Sequence, residues 1–128
     1  MKKIYLSPPH MSGKELEYIK EVFDQNWIAP IGPHLNKFED MVKEYTGAKH
    51  AVAVTSGTAG IHLALKALGV SEGDFVLCSS LTFIGTVNPI IYCGAEPIFV
   101  DSEETTWNLD PVLLETAILN STALGKKP

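Results

Sequence analysis

Apolar residues recur along this chain first at helical and later at strand intervals, and the change of period predicts the order of elements. Ser12 and Glu15 have the spacing of a capping box, and Leu16, Ile19 and Phe23 follow at helical intervals, predicting a helix from Gly13 to about Gln25. Its narrow stripe suits a surface helix lying on something larger. The next segment, Asn26 to Pro33, carries two prolines and a glycine that forbid regular structure, yet holds Trp27, Ile28 and Ile31. Such an apolar loop needs a partner surface. Pro33 then opens a second helix with the stripe Leu35, Phe38, Val42 and Tyr45, and Gly47 is placed to close it in the left-handed conformation.

After these two helices the period shortens. His50 to Val54 reads as a strand, Thr58 to Leu68 as a helix apolar on more than one side and so expected between layers, and Asp74 to Ser79 as a second strand. Thr82 to Cys93 predicts a helix closed by Gly94, with a kink or break at Pro89, which costs about 3 kcal/mol inside a helix. Pro97 to Val100 reads as a third strand. Asn108, Asp110 and Pro111 start a last helix whose expected buried side is Leu113, Leu114, Ala117 and Ile118. This alternation predicts an α/β fold, a mainly parallel sheet covered by helices. The closing LGKKP leaves a βα unit without the strand it should lead to, so the polypeptide is expected to be cut short.

Composition narrows the function classes. The 128 residues, 45% of them hydrophobic, suffice for one domain burying roughly two thirds of its unfolded surface. All ten basic residues are Lys, and the net charge is −5. An acidic chain without Arg is a poor nucleic-acid binder, and nothing in the charge points to a membrane. MKKIYLSPPH lacks the apolar core of an export signal, which makes the cytoplasm the expected location. Cys78 and Cys93 lie in apolar surroundings without CxxC spacing and read as buried free thiols.

Three stretches carry candidate chemistry. In Thr55-Ser56-Gly57-Thr58-Ala59-Gly60, small residues let a ligand approach while the amides of the following helix point outward, which makes an anion site. The alternative is an ordinary tight turn capped by Ser56 or Thr58, and the residues alone do not separate the two. Neither the P-loop nor GxGxxG is present. SSLTF, Ser79 to Phe83, follows a strand at the carboxyl edge where ligands gather, and Phe83 either stacks on a flat cofactor or begins a hydrophobic face. Asp101 follows the next strand, where capping a turn is the commoner role. His62 has no partner spaced for a metal site or a triad, and reads as a packed residue.

Taken together, NWIAPIGPHLNKFE, HAVAVTSGTAGIHLALKALGV, SSLTFIGTVNPI and GAEPIFVDSEETTWNLDP resemble the N-terminal third of the DegT/DnrJ/EryC1/StrS family of pyridoxal-phosphate-dependent nucleotide-sugar aminotransferases. The resemblance implies the fold-type I aminotransferase fold, with residues 1–128 as the N-terminal portion of the large cofactor-binding domain and the small domain absent. It implies pyridoxal 5'-phosphate as cofactor, its phosphate at Gly57, Thr58 and Ala59 and its ring against Phe83. It implies that the loop at Trp27, Ile28, Ala29 and Pro30 borders the active site and meets the nucleotide sugar near a homodimer interface. In the family an amino group passes from L-glutamate to a keto carbon of a nucleotide-linked sugar. A Lys holds the cofactor and shuttles the proton, and an Asp faces the pyridine nitrogen. Both lie beyond residue 128 in the family, no lysine here sits in the Lys motif, and this chain alone is expected to be inactive and to expose apolar surface on Thr58 to Leu68. SPPH and NWIAP resemble members that aminate a UDP-linked 4-keto-6-deoxy-N-acetylhexosamine for bacterial glycans, with a GDP-linked perosamine-type substrate as the nearest competitor. A non-catalytic phosphate-ligand sensor or structural subunit of the same fold is the alternative reading.

Overall fold

The computed structural model describes residues 3–5 and 7–123. Its contacts divide the chain into two units, Met1–Ala53 and Val54–Pro128.

The first unit contains two helices. The first, α1, spans Glu15–Asp24. The capping box forms on one side: the Glu15 carboxylate accepts from the amides of Ser12 at 2.6 Å and Gly13 at 2.9 Å, whereas Ser12 Oγ accepts from Lys14 rather than from Glu15. The second, α2, spans Pro33–Thr46 and stops at Gly47, whose φ of 72° is the left-handed cap expected there. Asn26, at φ 57°, turns the chain out of α1 into the irregular loop.

In the second unit, α3 spans Gly57–Ala67, β1 Phe75–Ser79, α4 Asn88–Tyr92, β2 Glu96–Val100 and α5 Pro111–Ala123. The two strands pair in parallel, with Phe75 opposite Glu96 and Ser79 opposite Val100. The helix expected over Thr82 to Cys93 is interrupted: a single 3-10 turn covers Ile84–Thr86, and α4 starts afresh with Pro89 in its first turn. A ring without an N–H is tolerated there and nowhere deeper. The core consists of Cys78, Val87, Ile90, Cys93 and Ala95, with Leu65, Val70 and Val76 packed against it. Both cysteines are free thiols, as read from the sequence, and burial pushes the Cys78 thiol pKa up.

Three expectations are corrected. Residues 50–54 form no strand: neither β1 nor β2 pairs with them, and the Ala53 amide donates to the Glu39 carboxylate at 2.9 Å instead of to a ladder. The helix expected between layers, α3, has no buried residue; Leu63 is 53% and Leu68 80% exposed, the apolar surface on Thr58 to Leu68 expected of this chain alone. Among Leu113, Leu114, Ala117 and Ile118, only Leu114 and Ala117 are even half-buried, and the buried residue of α5 is Ser121. Its hydroxyl is satisfied within the helix by donating to the Ala117 carbonyl at 2.8 Å, which removes the cost of burying it.

Candidate functional site

The turn into α3 is built by Ser56. Its extended backbone (φ −164°) and its hydroxyl make it the N-cap, with Oγ accepting from the Ala59 amide at 3.1 Å and its carbonyl from Gly60 at 3.0 Å. Of the three candidate donors at Gly57, Thr58 and Ala59, the amides of Gly57 and Thr58 then lack an acceptor among the described residues. Cap and anion cradle are therefore not alternatives here: Ser56 serves one of the three candidate donors and leaves two. Both point from a helix N-terminus, where the partial positive charge favours an anion and direct hydrogen bonds to a charged group contribute about 1.5 to 3 kcal/mol each. A Cβ on Gly57 would meet nothing within 4 Å among the described residues. A phosphate fits these donors.

Phe83 is 78% exposed and stands in extended backbone immediately before the Ile84–Thr86 turn. The core reading of its ring does not hold, which leaves the ring face available to a flat ligand. Thr82 and Thr86 brace this turn through their hydroxyls, 3.0 Å apart. Thr58 and Phe83 approach one point from two elements, since a Cβ added to Gly85 would lie 2.6 Å from Thr58 Oγ1 and 2.9 Å from Phe83 Cδ1. Gly85 was not singled out from the sequence, although an isolated glycine within a helical pattern is a signal of close approach.

Next to Phe83 in sequence, the carboxyl ends of the two strands are joined. Ser80 Oγ donates to Asp101 Oδ1 at 2.8 Å, and the Ser80 amide donates to the Val100 carbonyl at 2.9 Å. The Ser102 amide and then the Ser80 hydroxyl hold the Asp101 carboxyl below its ordinary pKa. Asp101 thus does more than cap a turn: it ties strand to strand. These residues border an open cavity of about 540 Å³ with Glu104 and Trp107. Glu103, on the same rim, is held below its ordinary pKa by the Thr106 hydroxyl and the Thr105 amide. His62 is packed edge-on to Tyr92, centroids 5.6 Å apart, the packed residue that the sequence leads one to expect.

Trp27, Ile28, Ala29 and Pro30 belong to the first unit. Trp27 stacks on Gly32, where a Cβ would lie 3.3 Å from its ring, and it remains 43% exposed, while Ile28 is 64% exposed. Trp27, Ala29 and Pro30 line a cavity of about 230 Å³ with Gly32 and Pro33. A larger apolar groove of about 550 Å³ between α1 and α2, lined by Tyr18, Ile19, Phe23, Phe38 and Met41, offers little polar chemistry. No group of three or more metal-ligating side chains is assembled among the described residues, and no helix there is long and apolar enough to cross a membrane.

The chain belongs to the DegT/DnrJ/EryC1/StrS aminotransferase family, whose model matches residues 9–125. It is 57% identical over 127 residues to EpsN of Bacillus subtilis strain 168, described as a pyridoxal phosphate-dependent aminotransferase. That match covers 99% of this chain and 33% of the relative. It is 45% identical over 122 residues to the GDP-perosamine synthase of Escherichia coli O157:H7, covering 95% of this chain and 34% of the relative. Among solved structures, the sugar aminotransferase Spr1654 of Streptococcus pneumoniae in its PMP-form superposes with a TM-score of 0.84 at 32% identity, covering 91% of this chain and 29% of that one. The same protein has also been solved in a PLP-form. The chain thus spans about a third of the length of the relatives it matches.

Proposed function

We propose that this chain is the N-terminal portion of the large cofactor-binding domain of a pyridoxal-phosphate-dependent aminotransferase that transfers the amino group of L-glutamate to a nucleotide-linked keto sugar. The single observation that carries the reading is the pair of unpartnered amides at Gly57 and Thr58, beside an exposed Phe83, in a chain of this family. Pyridoxal 5'-phosphate supplies the electron sink for amino transfer when bound. Gly57, Thr58 and Ala59 would line its phosphate and Phe83 its ring. Trp27, Ile28, Ala29 and Pro30 would meet the nucleotide sugar. The residues that hold the cofactor covalently and face its pyridine nitrogen lie outside these 128 positions, so this stretch by itself binds and orients and does not turn over. The full-length protein works as a cytoplasmic homodimer.

The substrate we assign is a UDP-linked 4-keto-6-deoxy-N-acetylhexosamine, destined for a bacterial glycan. A GDP-linked keto sugar is the second reading, favoured by the relatives named GDP-perosamine synthase, at 45% and 41% identity. The test uses the full-length gene product loaded with pyridoxal 5'-phosphate. The visible band of bound cofactor should appear, disappear on adding L-glutamate and return with the UDP-linked keto sugar. Return with the GDP-linked sugar alone selects the second reading, and a folded dimer with no band at all refutes both.

A further inference from the structure

We propose that Gly85 is a positioning residue of the cofactor site, leaving the space in which Thr58 and Phe83 take one arrangement; this rests on the function proposed above. Gly85 is buried in the Ile84–Thr86 turn, and its backbone does not lie in the left-handed region. Backbone freedom therefore does not explain a glycine here. Space does: an added Cβ would lie 2.6 Å from Thr58 Oγ1 and 2.9 and 3.0 Å from Cδ1 and Cε1 of Phe83. All three atoms belong to side chains, so what yields to a methyl group is the torsion of Thr58 or of Phe83, not the backbone. Phe83 is 78% exposed and has little other packing to fix its ring, and the neighbouring Thr82–Thr86 bond keeps the turn itself in place.

The other glycines of the site differ. At Gly57 a Cβ meets nothing, and at Gly60 it meets Val54 Cγ2 at an ordinary 3.5 Å. Of the three, Gly85 alone is closed to a side chain by the very groups that face the ligand. An alanine at this position should disturb the site and spare the fold.

The experiment compares Gly85→Ala with the unaltered full-length protein, each with and without Thr58→Ala, using pyridoxal 5'-phosphate as the probe in equilibrium dialysis and thermal melting without cofactor. Gly85→Ala should weaken cofactor binding roughly three- to tenfold, the range of one displaced side-chain torsion, and leave the melting transition in place. In the Thr58→Ala background the hydroxyl that meets the new methyl is gone, so the same substitution should cost less. A crystal structure of the variant should show Thr58 or Phe83 rotated. Unchanged affinity, a loss with neither Thr58 nor Phe83 rotated in the crystal structure, or loss of folding would overturn the inference while leaving the proposed function standing. Absence of cofactor binding by the unaltered protein would remove both.

Discussion

Ser80 donates to Asp101 at 2.8 Å, joining two residues 21 positions apart that each follow one of the two parallel strands. The bond closes the carboxyl edge of the sheet, beside the segment that carries Phe83. Because the Ser102 amide and the Ser80 hydroxyl favour the ionised form, Asp101 titrates below its ordinary 3.8 when folded. A depressed carboxylate contributes stability above its ordinary pKa and loses that contribution as pH falls through the lower folded value. Ser80→Ala should therefore move the Asp101 titration, followed by carboxyl NMR, back toward 3.8. An unmoved titration would mean that the Ser102 amide alone sets it.

Glu15 gives a second acid-sensitive contact. Its carboxyl is lowered from 4.5 to about 2, first through the Ser12 amide, where the contact is 2.6 Å. The support it lends to the start of α1 is complete above pH 4.5 and disappears as pH falls toward about 2. The protection of the Ser12 and Gly13 amides against hydrogen exchange, relative to the intrinsic rate at each pH, should fall across that window, and Glu15→Gln should abolish that fall. Protection that is flat with pH in the unaltered protein would contradict the assignment.

Ser56 caps α3 through a bond to the Ala59 amide. Ser56→Ala should destabilise the protein by about 1 kcal/mol, and Ser56→Gly by only a few tenths. Denaturant unfolding of the two variants tests the ordering. Equal midpoints would show that the cap does not govern this helix end.

Ile90 and Phe83 should separate stability from binding. Ile90 is 2% exposed in the core, so Ile90→Ala should cost about 2–5 kcal/mol. Phe83 is 78% exposed, and Phe83→Leu should change stability by no more than about 0.5 kcal/mol. It should nevertheless weaken pyridoxal 5'-phosphate binding by roughly two- to tenfold, the magnitude of an aromatic ring contact. A strongly destabilised Phe83→Leu would mean that the ring packs in solution.

The helices were legible because their signals are local. Pro33 and Gly47 mark α2, and Asp110 caps α5 by accepting from Val112 at 2.7 Å and Leu113 at 3.1 Å. The Pro89 break follows from one missing N–H. What the sequence did not reveal depends on residues far apart in the chain. His50 to Val54 has the composition of a strand, but a strand exists only with a ladder partner, and the described residues give this segment none. Periodicity put Leu113 and Ile118 inside because it counts hydrophobicity and not contacts; the polar residues Glu115, Thr116, Asn120, Ser121 and Thr122 are spread round α5, so no stripe selects a face. Within the candidate site the Gly57–Ala59 turn was readable as a small-residue N-terminus. The crowding of Thr58 and Phe83 at Gly85, and the Ser80–Asp101 bond, were not, since each joins segments of separate elements.

The two buried thiols have a practical consequence. Cys78 lies on β1 and Cys93 just after α4, they are 6% and 7% exposed, and the chain has no other cysteine. A thiol reagent can reach them only when the core around Ile90 opens. The rate of alkylation is thus a built-in clock for opening of the second unit, readable by mass spectrometry without an introduced label, and it should slow when a ligand holds α3 and the Ile84–Thr86 turn together.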